Sequence, residues 1–243
     1  MAVGFDNRSI YHHLLVGLAF DEYKPVGGGV ATGEISYDRA SPHHTATLNG
    51  ATIIWGAVAS GFPYLAFTAA TPDYVDSPVA ADLDFTTENF SLLAWINITA
   101  LADMCIMCRG VNNLAGGGGY SLIVDNTGRL GFVTCQGAPV QNSVSYTDIT
   151  AGDWFLVGGT RDDAVGITYI NGLDRTDAPD THIDPATQNE PLHIGARQSG
   201  TGPVTRDIPF NGYIAYPRIW GDRALSRIEM KSIWDYERHW FDV

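Results

Sequence analysis

The chain has 243 residues and a formal net charge of −13, and only 14 residues are lysine or arginine. So few and scattered cations exclude the basic patch of a nucleic-acid-binding protein and disfavour attachment to an anionic membrane surface. Hydrophobic residues make up 45% of the chain, which excludes global disorder, yet no apolar stretch is long enough to predict a membrane-spanning segment.

The N-terminal third predicts short strands between turn-forming residues. Residues 1–13 show no clear period, and we predict an arm or edge segment there. An apolar first strand is predicted over 14–20, and a long loop rich in Gly, Pro, Ser and Asp over 21–44. Residues 46–55 carry Thr and Ile with a turn-prone Asn49-Gly50, and 62–67 and 74–75 are short strand candidates.

The central and C-terminal parts predict longer strands and hairpins. Alternation over Phe90–Ile98 places apolar residues on both faces, as in a strand inside a sandwich. Hairpin turns are predicted at Asp125–Gly128, which separates strands 120–124 and 130–135, and at Asn171-Gly172, which follows strand 165–170. The run Gly116–Gly119 predicts a flexible hairpin tip. Further strands are predicted over 104–108, 154–160, 192–196 and 213–220.

One helix is predicted, close to the C-terminus. Ser226 is a natural N-cap, and Glu229 three residues later completes a capping-box pattern. Ile228, Ile233 and Trp234 are expected to line its apolar face.

The three cysteines do not suggest a disulfide framework. The number of cysteines is odd, so they cannot all pair within one chain: Cys105, Cys108 and Cys135. The Cys-x-x-Cys pair has no second pair of ligands at the spacing that zinc requires. In an extended strand Cys105 and Cys108 would point to opposite faces. We predict that all three are small buried hydrophobic residues.

The order of these segments resembles the laminin-G-like, concanavalin-type jelly-roll family from about residue 14 to residue 234. The segments that carry the resemblance are Leu15–Glu22, Asp38–Thr52, Pro72–Asp76, Leu83–Thr86, Phe90–Ile96, Tyr169–Gly172, Leu192–Ala196, Phe210–Ile214, Arg218–Trp220 and Arg223–Ser226. The resemblance implies an all-β, two-sheet antiparallel jelly-roll β-sandwich with a short C-terminal helix. We therefore expect one domain over 14–243, preceded by the segment 1–13.

The resemblance also implies candidate ligands for Ca²⁺. Asp38, Asp73 and Asp76 lie closest to the family motifs, and carboxylates at loop ends suit a hard cation. The chain departs from the family at residues 67–70 and at Ala215-Tyr216, which weakens the expectation of calcium.

Catalysis is not expected. Glycosidases on such sandwiches place carboxylates close together on one strand, whereas none of the six glutamates here lies in a Glu-x-Asp-x-Glu run: Glu22, Glu34, Glu88, Glu190, Glu229 and Glu237. The His-Glu-x-x-His zinc motif and the Gly-x-Ser-x-Gly nucleophile elbow are also missing.

Sugar binding uses exposed aromatic side chains, so the positions of the aromatic residues matter. Trp95, Trp154 and Trp220 lie in strand patterns and are expected in the core. Tyr64, Tyr74 and Tyr120 lie near loops and are the candidates for exposure.

Two non-catalytic functions remain open. The first is a virion protein, a phage capsid-decoration or tail-associated module, made in the host cytoplasm because no signal peptide is visible. It would contact other virion proteins or copies of itself, and possible further partners are host-surface glycans. The alternative is an extracellular, soluble or cell-surface, lectin-like module that binds carbohydrate.

Overall fold

The computed structural model describes residues 10–20, 27–29, 31–40, 43–70, 73–111, 117–137, 140–185, 190–200 and 206–243. In these ranges the strands are β1 (Leu14–Gly17), β2 (Glu34–Tyr37), β3 (Thr45–Asn49), β4 (Ile54–Ala57), β5 (Pro63–Phe67), β6 (Tyr74–Ser77), β7 (Phe90–Ile98), β8 (Met104–Arg109), β9 (Gly118–Val124), β10 (Arg129–Gln136), β11 (Val140–Thr147), β12 (Trp154–Asp162), β13 (Val165–Ile170), β14 (Leu173–Asp174), β15 (Thr176–Ala178), β16 (Leu192–Ile194), β17 (Arg197–Gln198), β18 (Arg206–Asp207) and β19 (Gly212–Gly221). The helices are α1 (Arg227–Glu237) and two short 3-10 helices, Ala81–Leu83 and Arg238–Trp240.

Two large antiparallel sheets form a sandwich. Sheet I has the strand order β14-β13-β12-β7-β19-β5-β4, and β1 also pairs with β19. Sheet II has the order β15-β11-β10-β9-β8-β16-β6-β3-β2, and β17 and β18 form a small separate ribbon. This arrangement confirms the predicted all-β jelly-roll sandwich.

The main core lies between the two sheets. Leu92 and Ile96 of β7 are fully buried there together with Leu122 of β9 and Phe132 of β10. Removing such a side chain from water stabilises the fold by about 1.5–3 kcal/mol. The alternation predicted for Phe90–Ile98 therefore has a physical basis, because β7 lies in the middle of sheet I and is covered on both sides.

A second apolar cluster covers the outer face of sheet I, where helix α1 packs. Trp95 and Trp220 of the sheet are buried together with Met230 and Ile233 of the helix. The predicted capping box is confirmed, because Ser226 Oγ accepts from the Glu229 backbone N–H and the Glu229 side chain accepts from the Ser226 backbone N–H. In the parts of the chain that the structure describes, no helix is long and apolar enough to cross a membrane.

The apolar face predicted for this helix was partly wrong. Ile233 is buried, but the side chain of Ile228 is 68% exposed. The helix lies on the sheet along the line of Met230, Ile233 and Glu237, and Ile228 falls on the solvent side of that line.

Two predicted loops contain strands. The loop predicted over 21–44 includes β2, which pairs with β3 at the edge of sheet II; residues 21–26, 30, 41 and 42 of that prediction lie outside the described residues. Gly118 and Gly119 of the predicted flexible tip are buried in β9. A Cβ on Gly119 would lie only 2.0 Å from the Arg109 carbonyl oxygen. Glycine at this position therefore allows strand β8 to approach the backbone of β9 closely. Gly116 lies outside the described residues.

The cysteines are buried as predicted, but Cys105 and Cys108 do not point to opposite faces. The pairing of β8 with β9 shifts register between Cys105 and Met107, and both Ile106 and Met107 point into the main core. This β-bulge inserts one residue, so both cysteines lie on the outer face of sheet II, where the Cys108 thiol donates to the Ala196 carbonyl at 3.8 Å.

The predicted boundary between an arm and the domain stays a prediction. Residues 1–9 lie outside the described residues. Ile10 is buried in the outer cluster of sheet I, and its carbonyl accepts a hydrogen bond from the Trp220 indole at 2.8 Å. The part of the segment 1–13 nearest the domain is therefore attached to the sandwich.

Candidate functional site

Part of the outer face of sheet I carries a row of aromatic side chains beyond the area that helix α1 covers. Trp154 of β12 lies opposite Asn97 of β7, and Asn97 in turn lies opposite Tyr213 of β19. Directly paired residues of antiparallel strands project to the same face, so these side chains stand side by side. Tyr64 of β5 lies against both of these rings, and we call the three-ring group of Trp154, Tyr213 and Tyr64 the aromatic row.

The rings of the aromatic row are in mutual contact. Ring centroids are 4.8 Å apart for Tyr64 and Tyr213, 5.7 Å for Tyr64 and Trp154, and 6.1 Å for Trp154 and Tyr213. All three side chains are partly exposed, whereas Trp95 on the same face is fully buried. Burial raises the pKa of the Tyr64 hydroxyl, and the neighbouring Tyr213 raises it further. The hydroxyl therefore remains an uncharged donor.

The position of the Tyr64 ring depends on a glycine in the neighbouring strand. Gly56 of β4 pairs with Tyr64, and a Cβ at Gly56 would lie only 2.2–2.6 Å from atoms of the Tyr64 ring. The ring therefore lies directly on the backbone of β4. The absence of a side chain at position 56 leaves the space that the Tyr64 ring occupies over β4, while Tyr213 of β19 contacts the ring from the opposite side of β5.

The C-terminal residues mark the border between the covered and open parts of this face. Phe241 stacks on Trp95 with ring centroids 4.0 Å apart and contacts Trp154 at 4.8 Å. Trp240 stacks on Phe62 at 4.7 Å. The end of the chain thus covers Trp95 and supports one side of the aromatic row, leaving the other side open.

The polar groups of the row lie at its edges and between its rings. Asn97 is 7% exposed, and its amide donates to the Gly152 carbonyl at 2.9 Å, which fixes the side chain between Trp154 and Tyr213. The two tyrosines add hydroxyl groups to a largely apolar surface. Such an arrangement can stack on the C–H faces of a pyranose or furanose ring and hydrogen-bond to its hydroxyls.

The structure changes several expectations about aromatic residues. Trp95 and Trp220 are in the core as predicted, but Trp154 is partly exposed. Tyr120 is 1% exposed, so the suggestion that it lies at the surface was wrong. It points between the sheets, and its hydroxyl donates to the Leu83 carbonyl at 3.1 Å.

The structure also shows how Tyr74 and Tyr213 are placed. Tyr74 is partly exposed, but the guanidinium of Arg206 lies 4.4 Å from its ring centroid and covers it. Tyr213 was not singled out from sequence, although it lies in the predicted strand 213–220. Its pairing opposite Asn97 follows only from the register of β19 with β7.

The first calcium candidate, Asp38, holds together backbone segments. Its carboxylate accepts hydrogen bonds from the backbone N–H groups of Gly17, Ala40 and His44 at 2.7, 2.7 and 3.2 Å. Burial raises the pKa of Asp38, and these N–H donors partly oppose the rise. The donors occupy the oxygens that a cation would need.

The other two calcium candidates also have structural partners. The fully buried Asp73 accepts from both the backbone and the side chain of Thr52 and of Thr68. Asp76 bonds to the ring of His193 and faces Asn49. Among the residues that the structure describes, no group of three His, Cys, Asp or Glu side chains could hold a metal ion. The three aspartates therefore do not fit a calcium ion.

Three of the described glutamates, Glu237, Glu229 and Glu88, make structural contacts. Glu237 is fully buried and accepts from Arg218 and from the Trp95 indole. Glu229 belongs to the cap of the helix, and Glu88 accepts from Thr86. None of these three carboxylates lies in the aromatic row.

Comparison with known protein families identifies this type of sandwich. The Laminin_G_3 family, described as the concanavalin A-like lectin/glucanases superfamily, matches residues 70–230. No curated protein matches the chain significantly.

Solved structures of binding domains share the fold at low sequence identity. The binding domain of Paraclostridial Mosquitocidal Protein 1 is 13% identical, with a TM-score of 0.66 over 93% of this chain and 53% of that one. The receptor binding domain of botulinum neurotoxin D is 14% identical, with a TM-score of 0.63 over 94% of this chain and 54% of that one. The chain thus spans about half the length of these domains.

A third solved structure is matched over nearly its whole length. Domain 4 of AbnA, a GH43 extracellular arabinanase from Geobacillus stearothermophilus, was solved in complex with arabinotriose. It is 17% identical, and the match has a TM-score of 0.61 and covers 90% of this chain and 97% of that domain. At these identities the likeness establishes the fold alone.

Proposed function

The chain belongs to the concanavalin A-like lectin/glucanases superfamily, and we propose that it is a non-catalytic module that binds a neutral sugar chain on the aromatic row. The observation that carries this proposal is the mutual contact of Trp154, Tyr213 and Tyr64 as partly exposed rings on one sheet face. Large apolar side chains are normally covered in a core, so a contiguous row at the surface favours a binding role.

The chemistry of the row favours a neutral carbohydrate. None of its three side chains carries a charge, and the chain as a whole has a net charge of −13, which disfavours an anionic polymer at an unscreened face. The arabinotriose complex of the AbnA domain supports sugar binding by a sandwich of this size. The receptor binding domain of the neurotoxin supports recognition without catalysis.

A lack of catalysis is supported by the positions of the acidic side chains. Hydrolysis of a glycosidic bond needs two carboxyl groups on opposite sides of the bond, about 5–10 Å apart. Glu237, Glu229 and Glu88 are engaged in structural contacts, and no carboxylate forms part of the aromatic row.

Placement in a virion, with other virion proteins or further copies as partners, stays a prediction. None of the matched proteins named above is a virion protein, so an extracellular module remains the alternative. Mass measurement and imaging of the native material would separate a regular shell or tail from a free monomer.

The proposal is tested by screening the full chain against neutral oligosaccharides and measuring the best ligand by calorimetry. We expect Tyr213→Ala to weaken binding at least tenfold and Tyr213→Phe to retain most of it, because stacking needs the ring. The matched control is Tyr236→Ala, which removes a 57% exposed tyrosine from the helix and should bind like wild type. The proposal fails if no neutral oligosaccharide binds, or if a folded Tyr213→Ala variant binds normally.

A further inference from the structure

A line of side chains crosses the outer face of sheet I from strand to strand and includes two members of the aromatic row. Trp154 of β12 pairs with Asn97 of β7, Asn97 with Tyr213 of β19, Tyr213 with Ala66 of β5, and Ala66 with Ile54 of β4. Directly paired residues of antiparallel strands project to the same face, so these five residues lie on one line at right angles to the strands. We call this line the transverse strip.

The transverse strip is neutral, and most of it is accessible to solvent. Trp154, Tyr213 and Ala66 are partly exposed, and Ile54 is 41% exposed although it is a large apolar side chain. Asn97, between the two aromatic residues, is 7% exposed. None of the five side chains is charged, so the strip extends the surface of the aromatic row as far as β4.

The strip is only one residue wide on the side that faces helix α1. The next line of outward-facing residues consists of Leu156 of β12, Trp95 of β7 and Ala215 of β19, which pair across the same three strands. All three are no more than 1% exposed, because they lie in the apolar cluster under the helix, where Phe241 stacks on Trp95. A ligand on the strip therefore cannot extend along these strands toward the helix.

The strands themselves end on the other side of the strip. β12 begins at Trp154, β7 ends one residue after Asn97, and β19 begins one residue before Tyr213. The exposed Thr99 and Gly152 lie in the loops that adjoin these strand ends. The long direction of the accessible surface therefore runs across the strands and not along them.

From this shape we propose that the strip binds an extended segment of a neutral polysaccharide, which lies across the strands and spans about four sugar units. The inference rests on the proposed function, because it takes binding of a neutral sugar at the aromatic row as given. Trp154 and Ile54 are four strand spacings apart, roughly 19 Å, and a sugar unit in an extended chain advances about as far as one strand spacing. Trp154 and Tyr213 stack on the first units, and Ile54 contacts the last.

The weakness of each single contact also favours a long ligand. A sugar stacked on one exposed ring buries little area, yet it loses about as much translational and rotational freedom as a longer chain does. Each further unit on the strip adds a contact at a smaller entropic cost, because it is already linked to a bound neighbour. Affinity should therefore rise with chain length until the strip is filled.

The test is calorimetric titration of the full chain with cello-, manno- and arabino-oligosaccharides of one to six units. In the series that binds best, we expect affinity to rise at least tenfold from two units to four and to level off beyond about four. Ile54→Gln should abolish most of this rise and leave the two-unit ligand unchanged, because only longer chains reach Ile54. Val165→Gln is the matched control, since Val165 is a 56% exposed aliphatic residue that pairs with Asp162, at the opposite end of β12 from Trp154.

The outcomes separate this inference from the proposed function. Tyr213→Ala should weaken ligands of every length. The inference is overturned if two units bind as tightly as four, or if Ile54→Gln and Val165→Gln show the same dependence on chain length. It also fails if none of the three series binds while another neutral oligosaccharide does, and the proposed function then still stands. If no neutral oligosaccharide binds at all, the proposed function fails and this inference fails with it.

Discussion

Trp154 and Tyr213 lie opposite the same residue of β7, from the strands on its two sides, and their rings are 6.1 Å apart. The two aromatic residues are 59 positions apart in the sequence, and the shared partner is Asn97. The alignment exists because β7 is central in sheet I and pairs with β12 on one edge and with β19 on the other.

The first prediction concerns the position of the Tyr64 ring in the aromatic row. Gly56→Ala places a methyl group against the Tyr64 ring and should displace it, weakening binding of a neutral oligosaccharide about three- to tenfold. Calorimetry measures this effect. Gly29→Ala is the control, because a Cβ there meets nothing within 4 Å. Equal affinities for the two variants would show that Tyr64 takes no part in binding.

The second prediction concerns the ion pair beneath helix α1. Glu237→Gln keeps the size of the side chain but leaves the fully buried Arg218 without a counter-charge, which should lower the free energy of unfolding by about 3–5 kcal/mol. Urea denaturation measures the loss. Replacing both partners, as Arg218→Met with Glu237→Leu, should recover much of it, because no unpaired charge then remains. A double variant less stable than the single variant would contradict this account.

The third prediction is a pH dependence that arises from His182. This buried ring lies between the hydroxyls of Thr134 and Ser143, both at 2.8 Å, and burial lowers its pKa to about 4. Because the unfolded chain takes up a proton near pH 6.5 and the folded protein does not, stability should fall as the pH drops from about 6.5 to 4.

The size of this effect can be isolated with one variant. The contribution of His182 to the loss is about 2–3 kcal/mol across that window. His182→Gln removes the titration while keeping a polar side chain, so the difference in urea midpoint between pH 7 and pH 4.5 should shrink. If both proteins lose the same stability, another group is responsible.

The fourth prediction concerns the start of helix α1. Ser226→Ala removes the acceptor for the Glu229 backbone N–H and should destabilise the protein by about 1 kcal/mol. Ser232→Ala provides a matched change within the same helix, where the hydroxyl only donates to the Ile228 carbonyl. Thermal melting of the two variants compares the positions. A melting temperature no lower for Ser226→Ala than for Ser232→Ala would show that the cap contributes nothing.

The sequence alone determined those features whose causes lie within a few residues. Asn171 and Gly172 have φ values of 53° and 74°, as the predicted two-residue hairpin turn requires. Ser226 and Glu229 form their cap because both partners lie in one helical turn. Alternation over Phe90–Ile98 predicted a strand with two apolar faces, since a residue's side of a strand depends only on its position.

Only the tertiary structure decided which aromatic side chains are exposed and which strands are bulged. Trp95 and Trp154 occupy similar strand patterns, yet Phe241 covers Trp95 and leaves Trp154 partly open. The bulge between Cys105 and Met107, which arises from the pairing of β8 with β9, puts both cysteines on one face of the sheet instead of on the opposite faces that the sequence predicted. These outcomes depend on the register between strands that are distant along the chain. A shift of one residue in that register turns every side chain to the other face, and no local pattern records it.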